Sequence, residues 1–186
     1  MSIPKIPNSE KFMTTAIDLF REKSIIANKP ENAFTLRFDP SRFYSQGHCA
    51  EFAYAFADFA ASKGLEPEIT IMFRNRVSDA SGEIIEKRLS HCIVELNGNS
   101  YDICGDDARR TWFLKAGYVC EHDTGESSTW EFESIPINDR EQAYRQLEEH
   151  CQRHDVAFSR EQIEKDKGIF ASLLDKSHSK ESDLSY

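Results

Sequence analysis

The dipeptide Asn97-Gly98 constrains this chain more than any other feature. Both residue types accept the positive φ that a two-residue hairpin turn demands. Before it lies a strand-like run, Ile84 to Leu96, whose second half alternates. Ser90, Cys92, Val94 and Leu96 fall on one side, and Leu89, His91 and Ile93 on the other. After it, Asn99 to Cys104 reads as the return strand, and Gly105-Asp106-Asp107 ends it. A two-residue turn pairs Leu96 with Asn99, which sets Ile93 opposite Asp102 and His91 opposite Cys104. His91 and Asp102 then become diagonal neighbours on one face of the ladder, within reach of each other.

The strongest helical pattern lies upstream, from His48 to about Lys63. Cys49, Phe52, Ala53, Phe56 and Ala60 recur at the spacing of one buried helix face. Small and aromatic residues on that face suit close packing on a sheet. Gly64 is placed to stop the helix in a left-handed conformation, and Gln46-Gly47 supplies a turn just before it.

Flanking segments complete an α+β outline. Ser9 to about Lys23 reads as a helix, with Phe12, Ile17 and Phe20 on its apolar side. Ala33 to Asp39 and Glu68 to Arg74 read as strands, Pro40-Ser41-Arg42 and Ser78 to Gly82 as turns. Trp112 and Phe113 anchor a short helical or irregular piece, and Glu121 to Ser128 reads as a loop before a strand from Thr129 to Ile135. Asn138 with Glu141, and Ser159 with Gln162, resemble helix-opening caps, giving helices to about His150 and Leu174. The expected organisation is a single domain over residues 1–175, with a core at about 34–135, added helices at 138–174 and a polar, disordered tail at 176–186. The central antiparallel sheet packs against the helix that begins at Cys49.

Charge and composition exclude several partners. The net charge is −9 over 186 residues, which argues against nucleic acid and against anionic membranes. No stretch approaches the roughly 20 apolar residues of a membrane span, and Met1 to Pro7 has no apolar signal core. A cytoplasmic location is expected, with export by a route lacking a cleaved signal left open. The five cysteines form no CxxC pair, so free thiols in a reducing compartment are expected, with no metal and no cofactor.

A thiol hydrolase needs a thiolate, a base that holds and releases its proton, and a group that orients the base. Cys49 opens a helix, where the dipole and free amides favour negative charge. His91 is the candidate base and Asp102 its orienting carboxylate. The segment Gly47-His48-Cys49-Ala50-Glu51-Phe52-Ala53 resembles the Gly-x-Cys-x-x-Phe-Ala signature of the transglutaminase-like superfamily, a relative of the papain-like fold. His91 to Asp102 is similar to that family's His-x-x-Val-Glu-x-x-Gly-x-x-Tyr-Asp pattern, and Gly64 also matches. The resemblance spans roughly residues 34–105. It implies acyl transfer from an amide by peptide hydrolysis, glutamine deamidation or transamidation, on a protein or peptide substrate. Ala50 stands where the family often carries an aromatic residue. The backbone N–H of Cys49 and the side chain of Gln46 are the candidate oxyanion donors.

Each residue also has a plainer explanation. Cys49 alone suits a packed core, His91 a buried sheet position, and Asp102 a strand end; only the trio points to chemistry. His48 is turned about 100° from Cys49 on a helix, away from the same substrate. Cys92 points to the opposite strand face from His91, which argues against a shared metal. The alternative function is an inert member of the fold that serves as a protein-binding or regulatory module.

Overall fold

The computed structural model describes residues 9–27, 39–109 and 126–173. At its centre is a helix, α3 (Cys49–Ser62), with Gly64 in the left-handed region at φ 75° just beyond it. Every residue of α3 from Cys49 to Ala60 is buried. That exceeds the single buried face read from its periodicity. The reason is that the helix is covered from several sides, so alanines and phenylalanines are accommodated all round it.

Two helices precede it. α1 (Ser9–Ala27) buries Met13, Ala16, Ile17 and Phe20 and runs one turn past the expected end. α2 (Pro40–Ser45) replaces the turn expected at Pro40-Ser41-Arg42. Its cause is local: the Asp39 carboxylate accepts from the N–H groups of Ser41 and Arg42, and Pro40 supplies a preset φ at the first helical position.

The sheet is antiparallel throughout, with strand order β4-β3-β2-β1-β5. Its strands are β1 (Glu68–Ser78), β2 (Ile84–Leu96), β3 (Asn99–Asp102), β4 (Gly105–Asp106) and β5 (Glu126–Pro136). Gly105-Asp106, expected to end the hairpin, adds a short edge strand to β3 instead. β1 is longer than read from sequence, and β5 pairs along all of it, from Glu68 opposite Pro136 to Ser78 opposite Glu126. Thr129 to Ile135 is therefore only the middle of β5.

One irregularity matters for the site. In the β1–β2 ladder Met72 pairs with His91 but Phe73 pairs with Leu89, leaving Ser90 as an extra residue. Such a bulge shifts the parity of the strand. Leu89 accordingly joins Cys92, Val94 and Leu96 in the main core, rather than siding with His91 and Ile93 as simple alternation expects. The main core draws on residues from Met13 to Phe170. On the opposite face of the sheet, Met72, Ile93 and Ala108 form a smaller cluster with Trp130 against it.

Two further helices cover α3: α4 (Arg140–Arg153) and α5 (Arg160–Ala171). The cap of α4 is Asp139, one residue beyond the expected Asn138, and its carboxylate accepts from Gln142 N–H at 3.0 Å. Ser159 caps α5 as expected, accepting from Gln162 N–H. Phe170 of α5 stacks on Phe20 and Phe59, with ring centroids 4.5 and 5.0 Å apart. Aromatic packing of this kind adds about 0.5–1.5 kcal/mol per pair beyond simple burial. Among the described residues no helix is long and apolar enough to cross a membrane. The expected strand over Ala33 to Asp39 lies outside the described residues except for Asp39, which caps α2, and so do the piece at Trp112 and Phe113 and the C-terminal tail; of the loop expected over Glu121 to Ser128, the part from Glu126 on is instead the start of β5.

Candidate active site

The hairpin turn adopts the geometry its dipeptide demands, with Asn97 at φ 53° and Gly98 at φ 83°. Leu96 pairs with Asn99, Glu95 with Ser100 and Val94 with Tyr101. That register carries Asp102 to the level of Ile93 and brings its carboxylate to His91. His91 Nε2 lies 3.0 Å from Asp102 Oδ2, and both residues are buried, at 1% and 5% exposure. Asp102 Oδ1 accepts the N–H of Cys104 at 2.7 Å. The carboxylate is thus held by a backbone bond on one oxygen and presents the other to the imidazole. Two constraints on one short side chain fix where the imidazole points.

Cys49 begins α3, and its thiol is close enough to His91 and Cys92 for both to act on its ionisation. Gly47, at φ 112°, makes the turn into the helix, a conformation that a side chain would strain. His48 occupies the N-cap position, but its side chain does not cap the helix. It stacks on Phe43 with centroids 3.9 Å apart and sets Nδ1 2.6 Å from Glu51 Oε2.

The electrostatics of the cluster are coupled. The Cys49 thiol is held well below the ordinary thiol range, chiefly by hydrogen bonding from Cys92. Burial opposes this, and His91 adds to it by hydrogen bond and by charge. For His91 burial is the largest influence and disfavours the charged ring. The hydrogen bond to Asp102 and the interaction with Cys49 together outweigh it and raise the imidazole to about 9. Cys92 is pushed well up, first by its bond to Cys49 and then by burial. These directions favour the thiolate form of Cys49 and the charged form of His91, and favour Cys92 keeping its proton.

The structure brings Cys49, His91 and Asp102 together. Gln46 is exposed at the end of α2, where its Oε1 accepts from Arg42 Nε at 3.3 Å. Cys104 is exposed, and Cys151 is buried with its thiol pushed up by that burial. Among the described residues no group of His, Cys, Asp or Glu side chains converges as metal ligands would.

Two participants escaped the sequence. Cys92 does lie on the other strand face from His91, yet that face is the one α3 packs on, so Cys92 reaches Cys49. Its alternation with Val94 and Leu96 already placed it on the core side. Glu51, fully buried in the first turn of α3, holds His48 with one oxygen and accepts from the backbone N–H of Ser159 at 2.7 Å with the other. An acid inside an otherwise apolar helix was the available signal. Comparison with protein-family models, curated proteins and solved structures gives no match.

Proposed function

We propose that this chain is a cysteine-dependent acyl-transfer enzyme of the transglutaminase-like or papain-like kind, acting on amide bonds of a protein or peptide in the cytoplasm. The observation that carries this is the cluster at the start of α3, where His91 bonds to Asp102 at 3.0 Å and acts on the ionisation of the adjacent Cys49 thiol. With Nε2 taken by Asp102, Nδ1 is the nitrogen that exchanges a proton with the substrate side of the site.

The chemistry follows from the charges. The Cys49 thiolate attacks an amide carbonyl, and the carbonyl oxygen becomes an oxyanion. The backbone N–H of Cys49 at the helix start, with the Gln46 side-chain amide as a further donor, stabilises that charge. His91 gives its proton to the leaving nitrogen as the carbon–nitrogen bond breaks, which leaves a thioester on Cys49. Water or an amine, deprotonated by His91, then attacks the thioester and releases the thiolate. Asp102 holds the ring in the tautomer both steps require. No cofactor enters this cycle.

A second reading, a binding module that does not turn over, draws on the 5% exposure of Cys49. Iodoacetamide separates the two. Alkylation is followed against pH in the parent, His91→Ala and Cys49→Ser chains, with the modified residue located by mass spectrometry. Cys49 is expected to react well below the free-thiol pKa of about 8.5, and His91→Ala to abolish that advantage. A Cys49 that is inert, or no faster than the other cysteines, would remove the enzyme reading.

A further inference from the structure

A second buried carboxylate near Cys49 repeats the arrangement at Asp102. Asp102 accepts the Cys104 N–H on one oxygen at 2.7 Å and holds His91 Nε2 with the other at 3.0 Å. Glu51 accepts the Ser159 N–H on one oxygen at 2.7 Å and holds His48 Nδ1 with the other at 2.6 Å. Each carboxylate is anchored by a backbone N–H and orients an imidazole with its remaining oxygen. His91 comes to the start of α3 from the sheet, and His48 stands on the side of α2 and α5. Burying a carboxylate is costly unless its oxygens are engaged, and Glu51 is fully buried.

The acyl-transfer cycle uses the first imidazole and not the second, yet the second is also held in place. The His48 ring lies parallel to that of Phe43 in α2, at 9° with centroids 3.9 Å apart. Its Nδ1 is tied to Glu51, so the 30% of the side chain that remains exposed falls on the outer face and the Nε2 edge. Among the described residues Nε2 has no hydrogen-bond partner. His48 is the N-cap, with φ −112° and ψ 17°. It stands outside the helix, so the separation of about 100° between successive helical residues does not govern it. Beside it, a Cβ at Gly47 would meet no described atom within 4 Å, which leaves room for a chain to pass.

The chemistry decides which part of a substrate reaches this side. An amide carbonyl carbon carries its leaving nitrogen on one side and its acyl chain on the other. His91 must sit at the leaving nitrogen to protonate it, so the acyl chain runs the other way, toward His48. We propose that His48, oriented by Glu51, binds the acyl side of the substrate through Nε2, an inference that rests on the acyl-transfer reading of Cys49. A peptide main chain offers a partner there in either state of the ring, an N–H to the neutral imidazole and a carbonyl to the imidazolium. A glutamine side chain has only methylenes next to its carboxamide. The acyl donor is therefore a main-chain carbonyl, and the leaving nitrogen belongs to a peptide or isopeptide bond.

The test compares three alkylating probes on the full-length chain. In each, the Cys49 thiolate forms a carbon–sulfur bond and a halide ion leaves. An acetyl-dialanyl chloromethyl ketone carries main-chain amides on its acyl side, an alkyl chloromethyl ketone of equal length carries none, and iodoacetamide is too short to reach His48. The parent is expected to react faster with the peptide ketone than with the alkyl ketone. His48→Asn keeps a side-chain nitrogen for Glu51 but loses the atom that reaches outward. It is expected to lower the peptide preference about fivefold, as for one hydrogen bond, and His48→Ala to do the same. Iodoacetamide is expected to react at the parent rate in both variants. The proposal is overturned if the peptide ketone has no advantage in the parent, or if the advantage survives in either variant. It is also overturned if all three probes slow equally, which would mark His48 as a support of the helix start alone. A Cys49 inert to iodoacetamide in the parent would instead overturn the acyl-transfer reading, and this proposal with it.

Discussion

At the first turn of α3, Cys49 meets His91 and Asp102 on the sheet side, while Glu51, two residues on, faces the opposite way into α5. There Tyr44 donates to Asp166 Oδ1 at 2.5 Å, and Gln162 Nε2 donates to the same oxygen at 2.8 Å. Both clusters bury titratable groups, but they handle charge differently. In the first, opposite charges are paired, so both partners are driven toward their ionised forms. In the second, two acids lie near each other among neutral donors. Burial raises Asp166 to about 6, with Glu51 adding to the rise and Tyr44 and Gln162 opposing it. Asp166 Oδ2 has no hydrogen-bond partner. Paired opposite charges favour ionisation of both partners. Neighbouring like charges strain the docking of a helix and favour a proton there.

The sharpest way to break the comparison is to remove the nucleophile. Cys49→Ser is expected to lower amide turnover by about 10⁴-fold or more, as for loss of other catalytic nucleophiles, with unchanged circular dichroism. Residual turnover near the parent value would show that the paired charges have no catalytic use. Asp102→Asn comes next, with an expected loss of about 10²–10⁴-fold in kcat from the wrong imidazole tautomer. The pH profile adds a check that a merely structural role would not move. His91 must be charged to protonate the leaving amine, so parent turnover is expected to fall as pH rises through about 9. Without the Asp102 carboxylate that alkaline limb moves to lower pH. A limb that stays in place would separate Asp102 from the proton held on His91.

The α5 cluster calls for the opposite result. A raised carboxyl pKa stabilises the fold fully below the ordinary value near 3.8, and that contribution is lost as pH rises through about 6. At neutral pH the gap corresponds to about 3 kcal/mol against the charged fold. Asp166→Asn removes the charge but places an amide nitrogen where Oδ2 lacks a partner, which costs about 1–3 kcal/mol. A net gain of about 0–2 kcal/mol at pH 7 is expected from urea unfolding, with a flatter stability profile between pH 4 and 6. Cys49 alkylation is expected to stay the same. A loss of thiol reactivity in Asp166→Asn would mean the two clusters act as one.

The same two regions explain what the sequence made legible. The His91–Asp102 pair follows from local rules: Asn97-Gly98 sets the turn, the turn sets the register, and the register sets the face. The position of Cys49 at the helix start follows from periodicity and Gly47. The Ser90 bulge does not, because Leu89-Ser90-His91 alternates acceptably on its own, and only pairing with β1 makes one residue extra. Arg74 and Arg88 come to stand opposite each other through that same pairing. Asp166 falls three residues after Ile163 and four before Phe170, on the buried face of its helix, but its partner Tyr44 is 122 residues away. Contacts between distant elements decide what that buried acid meets.

Gln46 gives the smallest expected effect and tests how far the site extends toward the surface. A preorganised oxyanion donor is worth about 10²–10³-fold in kcat. Gln46 is exposed and shares its side chain with Arg42, so it is less fixed than such a donor. Gln46→Ala is accordingly expected to lower kcat by about tenfold, with KM and Cys49 alkylation unchanged, because alkylation develops no oxyanion. A drop in kcat confined to amide substrates would assign the Gln46 amide to the oxyanion. An unchanged kcat would leave that charge to the Cys49 backbone N–H and the helix start, and would make the α3 terminus the source of both thiolate and oxyanion stabilisation.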